Sequence, residues 1–78
     1  MGLMLVLKNE LIRIAPGDPK IIEYSINKGR SWSLRYKGFS GTGEFKDLEI
    51  LEDELLAITS KGVFYSRDNG RNWFFRGK

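Results

Sequence analysis

The feature that most constrains this chain is that it repeats itself. Residues 24–32 read Tyr-Ser-Ile-Asn-Lys-Gly-Arg-Ser-Trp, and residues 65–73 read Tyr-Ser-Arg-Asp-Asn-Gly-Arg-Asn-Trp. Tyr, Ser, Gly, Arg and Trp coincide at an offset of 41 residues. Upstream, Leu7-Lys-Asn-Glu-Leu-Ile-Arg-Ile14 aligns with Leu51-Glu-Asp-Glu-Leu-Leu-Ala-Ile58 at an offset of 44. The two offsets differ by three residues, and the difference falls in one connection. That connection is Ala15-Pro-Gly-Asp-Pro-Lys20 in the first copy and the tighter Thr59-Ser-Lys-Gly62 in the second. A length change confined to a turn is what a structural repeat shows. The 78 residues therefore read as a single domain of two repeats, about 1–40 and 41–78, joined by the glycine-rich stretch Gly38-Phe-Ser-Gly-Thr-Gly43.

Each copy reads as four short strands. No apolar period of 3.6 residues runs long enough for a helix, and Gly, Asn-Gly and Pro-Gly punctuate the chain at short intervals. The expected strands are Leu3–Leu7, Leu11–Ile14, Ile21–Tyr24 and Trp32–Tyr36 in the first copy. In the second they are Lys46–Leu51, Leu55–Thr59, Val63–Tyr65 and Trp73–Arg76. Trp32, Leu34 and Tyr36 alternate with Ser33, Arg35 and Lys37, which predicts one buried face. Leu3–Leu7 and Leu55–Ile58 are apolar at every position, which predicts strands covered on both faces. Trp73 and Phe75 fall on one face of the last strand and Phe74 on the other.

Composition narrows the chemistry. The chain has 13 Lys and Arg against 10 Asp and Glu, for a net charge of +3, and contains no His and no Cys. A disulfide scaffold, a thiolate or imidazole zinc site, a Cys nucleophile and a His-based triad are thereby excluded. An all-carboxylate metal site stays open to composition, but the acids of Glu44–Glu54 lack the ligand spacing of a calcium hand and read as a charged exposed edge. The charges are interspersed and not gathered into a basic footprint. The apolar opening Met-Gly-Leu-Met-Leu-Val-Leu is seven residues long, with no basic flank and no cleavage signal. It reads as a buried strand, and the chain as a cytoplasmic protein without a membrane partner.

The repeated motif, Ser-x-Asp-x-Gly-x-x-Trp, carries a turn with a mechanism. The Asp68 carboxylate is placed to accept backbone N–H bonds from the residues that follow. Gly70 is expected to supply a positive φ, and the Ser66 hydroxyl to tie the strand end to the turn. Trp73 then starts the return strand with its ring in the core. In the first copy Ser25, Gly29 and Trp32 take the same places. Asn27 stands for the Asp and can accept the same bonds without charge.

These residues resemble the Asp-box, also called the bacterial neuraminidase repeat, whose pattern is Ser-x-Asp-x-Gly-x-Thr-Trp. The second copy matches at Ser66, Asp68, Gly70 and Trp73, with Asn72 in the Thr place. The first departs at Asn27 and carries Ser31 for Thr. The resemblance covers nearly the whole chain. It implies two four-stranded antiparallel blades of β-propeller type, all-β, with the motif linking the third and fourth strands of each. Family members include sialidases, other glycan-processing enzymes, sorting receptors and assembly factors. The sialidase centre draws an Arg triad, a nucleophilic Tyr and acids from several blades. Two blades cannot surround such a centre, so those roles are not carried onto Arg13, Arg35 or Tyr24.

No nucleophile–base pair, metal cluster or cofactor loop is legible. Lys37–Gly43 lacks the lysine-hydroxyl ending of a phosphate loop, so no cofactor is expected. The expectation is a non-catalytic binding or scaffolding module. Trp32 and Trp73 read as packing, as do Tyr36, Phe39, Phe64 and Phe75, while Phe74 is either buried against a neighbouring subunit or exposed as a contact. Arg30 and Arg71 recur at one motif position and read as solvated turn residues. Arg30, Arg35, Tyr36, Arg71, Phe74 and Arg76 are the candidate contacts to a ligand or partner. Propellers close at about four to eight blades and repeat units do not bury their faces alone. Two blades with open outer faces thus predict self-association, as a trimer or tetramer ring, or docking on another protein. A face-to-face sandwich monomer is the alternative. Glycan recognition between blades is a second function. Nucleic-acid binding through Arg30, Arg35, Lys37, Arg67, Arg71 and Arg76 is a third, the less favoured one.

Overall fold

The computed structural model describes residues 4–77, and these residues form eight strands and no helix. The strands are β1 (Met4–Val6), β2 (Leu11–Ile14), β3 (Ile21–Ser25) and β4 (Ser33–Lys37), then β5 (Phe45–Leu51), β6 (Glu54–Thr59), β7 (Gly62–Ser66) and β8 (Phe74–Gly77). They make two four-stranded antiparallel sheets, each a simple meander in chain order. The fold is all-β, as the repeat implies. Each expected strand is present within a residue or two of its place, and Leu3, expected in β1, lies outside the described residues.

The period-2 pattern decides which residues face which way. In the first sheet Leu5 pairs with Ile12 and Ile12 with Tyr24, while Ile14 pairs with Ile22 and Ile22 with Tyr36. This face turns toward the second sheet. There Leu48 pairs with Ala57, Ala57 with Phe64 and Phe64 with Phe75. β5 lies across β1 and β2, and the two faces enclose one core of Leu5, Ile12, Ile14, Ile22, Phe45, Leu48, Leu55, Ala57, Phe64 and Trp73. Phe45 is the aromatic hinge of that core. Its ring centroid lies 5.6 Å from that of Trp73 and 6.1 Å from that of Tyr36. The Trp73 indole N–H is buried there with no hydrogen-bond partner among the described residues.

The sheets differ from the expected pattern in three ways. First, the alternation over β4 fails. Glu23 pairs with Leu34 and Ile22 with Tyr36, which leaves Arg35 as the extra residue of a β-bulge. A bulge re-aims the side chains on either side of it. Leu34, expected inside, is 60% exposed, and Arg35, expected outside, has a side chain only 5% exposed. Second, β6 is covered on one face only, for Leu55 and Ala57 are buried while Ile58 is 45% exposed. Met4 and Val6 of β1 are likewise exposed. Third, Phe39 and Phe75 are exposed where packing was expected, and Phe74, expected either against a neighbouring subunit or exposed as a contact, is exposed. Phe75 meets the core residue Phe64 edge-on, and Phe74 lies beside Tyr65 on the opposite face.

Candidate functional site: two motif turns and an arginine clamp

The two motif turns share the same serine and Asx-oxygen bonds and differ in one side-chain bond, which Asn72 donates to Asp68 in the second and Asn27 donates to Ser31 in the first. In the second, the buried Ser66 hydroxyl donates to Asp68 Oδ1 at 2.7 Å and accepts the Gly70 N–H at 2.9 Å. Asp68 Oδ1 also accepts the Asn72 N–H at 2.9 Å, and Oδ2 accepts the Asn72 amide at 2.7 Å. In the first, Ser25 donates to Asn27 Oδ1 at 2.8 Å and accepts the Gly29 N–H at 2.8 Å, while Asn27 Oδ1 takes the Ser31 N–H at 3.0 Å. The Asn27 amide donates to the Ser31 hydroxyl at 2.8 Å. Gly29 and Gly70 both stand at φ 90, where a side chain is strained. The residues before them, Lys28 at φ 64 and Asn69 at φ 63, are left-handed too. Asn69-Gly70 announces such a pair in the sequence, whereas Lys28 gives no such signal.

The charge on Asp68 distinguishes the turns chemically. Burial raises its carboxyl pKa, but the Asn72 N–H, the Asn72 amide and the Ser66 hydroxyl together outweigh burial and hold it below the ordinary aspartate value. Arg71 Nη1 donates to the Asp68 carbonyl at 3.0 Å, and Arg30 and Arg71 are both exposed, as solvated turn residues are.

Arg35 is not an open contact residue. The bulge turns it into the seam between the sheets, where its guanidinium meets Glu10 at 2.6 and 3.2 Å and lies 4.0 Å over the Tyr24 ring. Arg35 Nη1 also donates to the Asn69 carbonyl of the second motif turn at 2.8 Å. Gly70 sits beside this contact, and a β-carbon placed on it would lie 3.9 Å from both Arg35 and Ile22. A Glu–Tyr–Arg clamp on one sheet thus receives the motif turn of the other. Tyr36 is also internal, with its hydroxyl 3.3 Å from that of the buried Thr42.

The clamp recurs in the second sheet. Arg76 Nη1 donates to Glu54 at 2.5 Å and the guanidinium lies 4.2 Å over the Tyr65 ring. Arg76 is again a bulge residue, skipped between the pairs Val63–Gly77 and Phe64–Phe75. Its hydrogen bond lowers the Glu54 pKa against the opposing effect of burial, with help from the Arg76 charge and from Arg67, 3.4 Å away. The difference is cover. Arg35 is 5% exposed and Arg76 is 41% exposed, because no turn lies on the second clamp. The clamp residues coincide at the repeat offsets, Glu10 with Glu54, Tyr24 with Tyr65 and Arg35 with Arg76. That coincidence was the sequence signal for it.

The remaining candidates separate as follows. Trp73 is core, whereas Trp32 is half-buried on the outer face of the first sheet with the Arg13 guanidinium 3.9 Å over its ring. Arg13 is held there by Glu23 at 2.9 Å. That leaves one ring face of Trp32 already occupied. Arg35, Arg67, Arg71 and Arg76 have their charged heads engaged within the chain, so among the described residues the proposed basic set reduces to Arg30 and Lys37. No group of three carboxylates placed to hold a metal ion occurs among the described residues. No helix among them is long and apolar enough to cross a membrane. In comparisons with known proteins, no family model, no curated protein and no solved structure matches this chain.

Proposed function

We propose that this chain is a non-catalytic binding and scaffolding module, two Asp-box blades that associate with copies of themselves to extend or close a propeller-like assembly in the cytoplasm. The observation that carries this reading is the open outer face of the second sheet. Leu51, Leu56, Ile58, Val63 and Tyr65 occupy the repeat positions of Leu7, Ile12, Ile14, Ile22 and Tyr24, which in the first sheet face the core. A face close in composition to the one that the first blade buries, with Glu49 in the place of Leu5, stands open on the other, with Leu51, Ile58 and Phe74 each more than two-fifths exposed. Contiguous apolar faces of this kind mark association surfaces.

Sedimentation of the unmodified chain tests the reading against a double variant, Ile58→Lys with Phe74→Lys, both at exposed positions. The unmodified chain is expected to sediment faster as its concentration rises, and the variant to stay at the single-chain value. A single-chain value for both throughout contradicts the proposal.

The glycan reading has less support. Neither the pocket of about 330 Å³ at the end of the first sheet, between Val6, Leu11, Ser25 and Ile26, nor the pocket of about 410 Å³ along Ile58, Thr59, Lys61 and Val63 has an aromatic wall. Nucleic-acid binding is disfavoured by the internal pairing of the arginines.

A further inference from the structure

We propose that the exposed clamp of Glu54, Tyr65 and Arg76 is a socket for the first motif turn of a second copy of this chain, so that copies join head to tail. The proposal rests on the self-association reading and specifies its contact.

The chain supplies its own template. Inside it, the second motif turn lies on the first clamp, with the Asn69 carbonyl on Arg35 and Gly70 against Ile22 and Arg35. Shifted by one repeat, the same contact places the Lys28 carbonyl on Arg76 and Gly29 against Val63 and Arg76. The turn has the matching shape, since Lys28 and Gly29 repeat the φ values of Asn69 and Gly70 to within a degree and the Ser25 and Asn27 oxygens accept the same turn N–H groups as those of Ser66 and Asp68. Arg76 has donors to spare, for a guanidinium carries five and Glu54 accepts at Nη1. A second copy covering the clamp would give Arg76 the burial that Arg35 already has.

A second feature fits the same arrangement independently. The pocket of about 330 Å³ at the end of the first sheet has a counterpart at the same positions of the second sheet, lined by Ile50, Leu55, Ser66 and Arg67. The counterpart measures only about 130 Å³, and it is additionally walled by Leu7 of the neighbouring sheet. The residue in the Leu7 place on the second sheet is Leu51, which is 43% exposed. In the head-to-tail arrangement Leu51 of one copy enters the larger pocket of the next, as Leu7 enters the smaller one.

The surface offered to the socket is the outer face of the first sheet, where Met4, Val6 and Leu34 are exposed. Arg13 and Glu23 stand there in the places of Ala57 and Phe64, but they pair with each other at 2.9 Å, so the face presents no unpaired charge at that point. Elsewhere the changes from the template are opposite in sign. Glu49 stands for Leu5 on the socket, and Lys28 stands for Asn69 on the turn. A contact between unlike surfaces of this kind propagates, and closes into a ring where the rotation allows.

The test uses complementation. Arg76→Glu disables the socket and Val6→Asp disables the facing surface, both at exposed sites. Circular dichroism confirms that each variant folds, and Leu51→Asp and Leu34→Asp serve as replacements if one does not. Each variant alone is expected to bind itself at least tenfold more weakly than the unmodified chain. An equimolar mixture is expected to restore a dimer of one chain of each kind, because each chain keeps one intact surface. A variant that associates as the unmodified chain does, or a mixture that stays monomeric, overturns the head-to-tail contact while leaving self-association standing. An unmodified chain that stays monomeric at every concentration overturns both.

Discussion

At the scale of single residues, the turns are governed by one acceptor each. Asp68 gathers the Ser66 hydroxyl and the Asn72 N–H onto one oxygen, so Asp68→Ala is expected to cost about 1–2 kcal/mol, read as a lower melting temperature. Asp68→Asn should keep the turn, since Asn27 already does this work in the first copy. The two variants part company in acid. The folded-state pKa of Asp68 lies below its unfolded value, so its contribution is fully present at neutral pH and is lost as the pH falls below about 4. The melting temperature of Asp68→Asn should therefore fall less between pH 7 and pH 3 than that of the unmodified chain. Lys28 is the other informative residue. It holds φ 64 without the side chain that tolerates it, and Lys28→Asn is expected to stabilise the fold by up to about 1 kcal/mol in denaturant unfolding. The Ser, Asp and Gly roles were legible in the sequence because the motif names its own chemistry. The strain at Lys28 was not, since lysine carries no mark of a left-handed backbone.

At the scale of elements, strand placement was legible, and so was the split that puts Trp73 and Phe75 on one side and Phe74 on the other, but the facing of β4 was not. The apolar pattern and the turn residues located every strand, but the bulge at Arg35 put Leu34 and Arg35 on the sides opposite to those expected, and the bulges at Arg35 and Arg76 freed two arginines to fold over tyrosines. A bulge leaves no trace in composition or period, because it comes from how two strands register. The repeat did hold the answer in another form, through the common offsets of Glu10, Tyr24 and Arg35 with their counterparts. The two clamps predict unequal losses. Arg35→Ala strands Glu10 in the seam and removes the donor to the Asn69 carbonyl, at an expected cost of about 3–5 kcal/mol. That is a large share of what a domain of this size has, and chemical denaturation measures it. Arg76→Ala removes a solvent-exposed contact and should leave the unfolding midpoint of the isolated chain nearly unchanged. Equal losses from both substitutions would mean that the seam is not where the sheets are held together.

At the scale of the whole molecule, two similar sheets share one core and each keeps an outer face open. Within the chain the second motif turn covers the first clamp, and the second clamp and first turn are left over as a matched pair. The repeat count alone raised the expectation of association. What it left open was how surfaces meet, because that depends on the bulged arginines and on the pocket that Leu7 walls, neither visible before the sheets were placed. The most direct measurement is the mass in solution, by light scattering on a size-exclusion column across a dilution series. A particle of three or four chains that dissociates on dilution is expected, with no stable stop at a compact dimer. A single chain of 78 residues at every concentration would contradict it, and would mean that the two open faces are content in water.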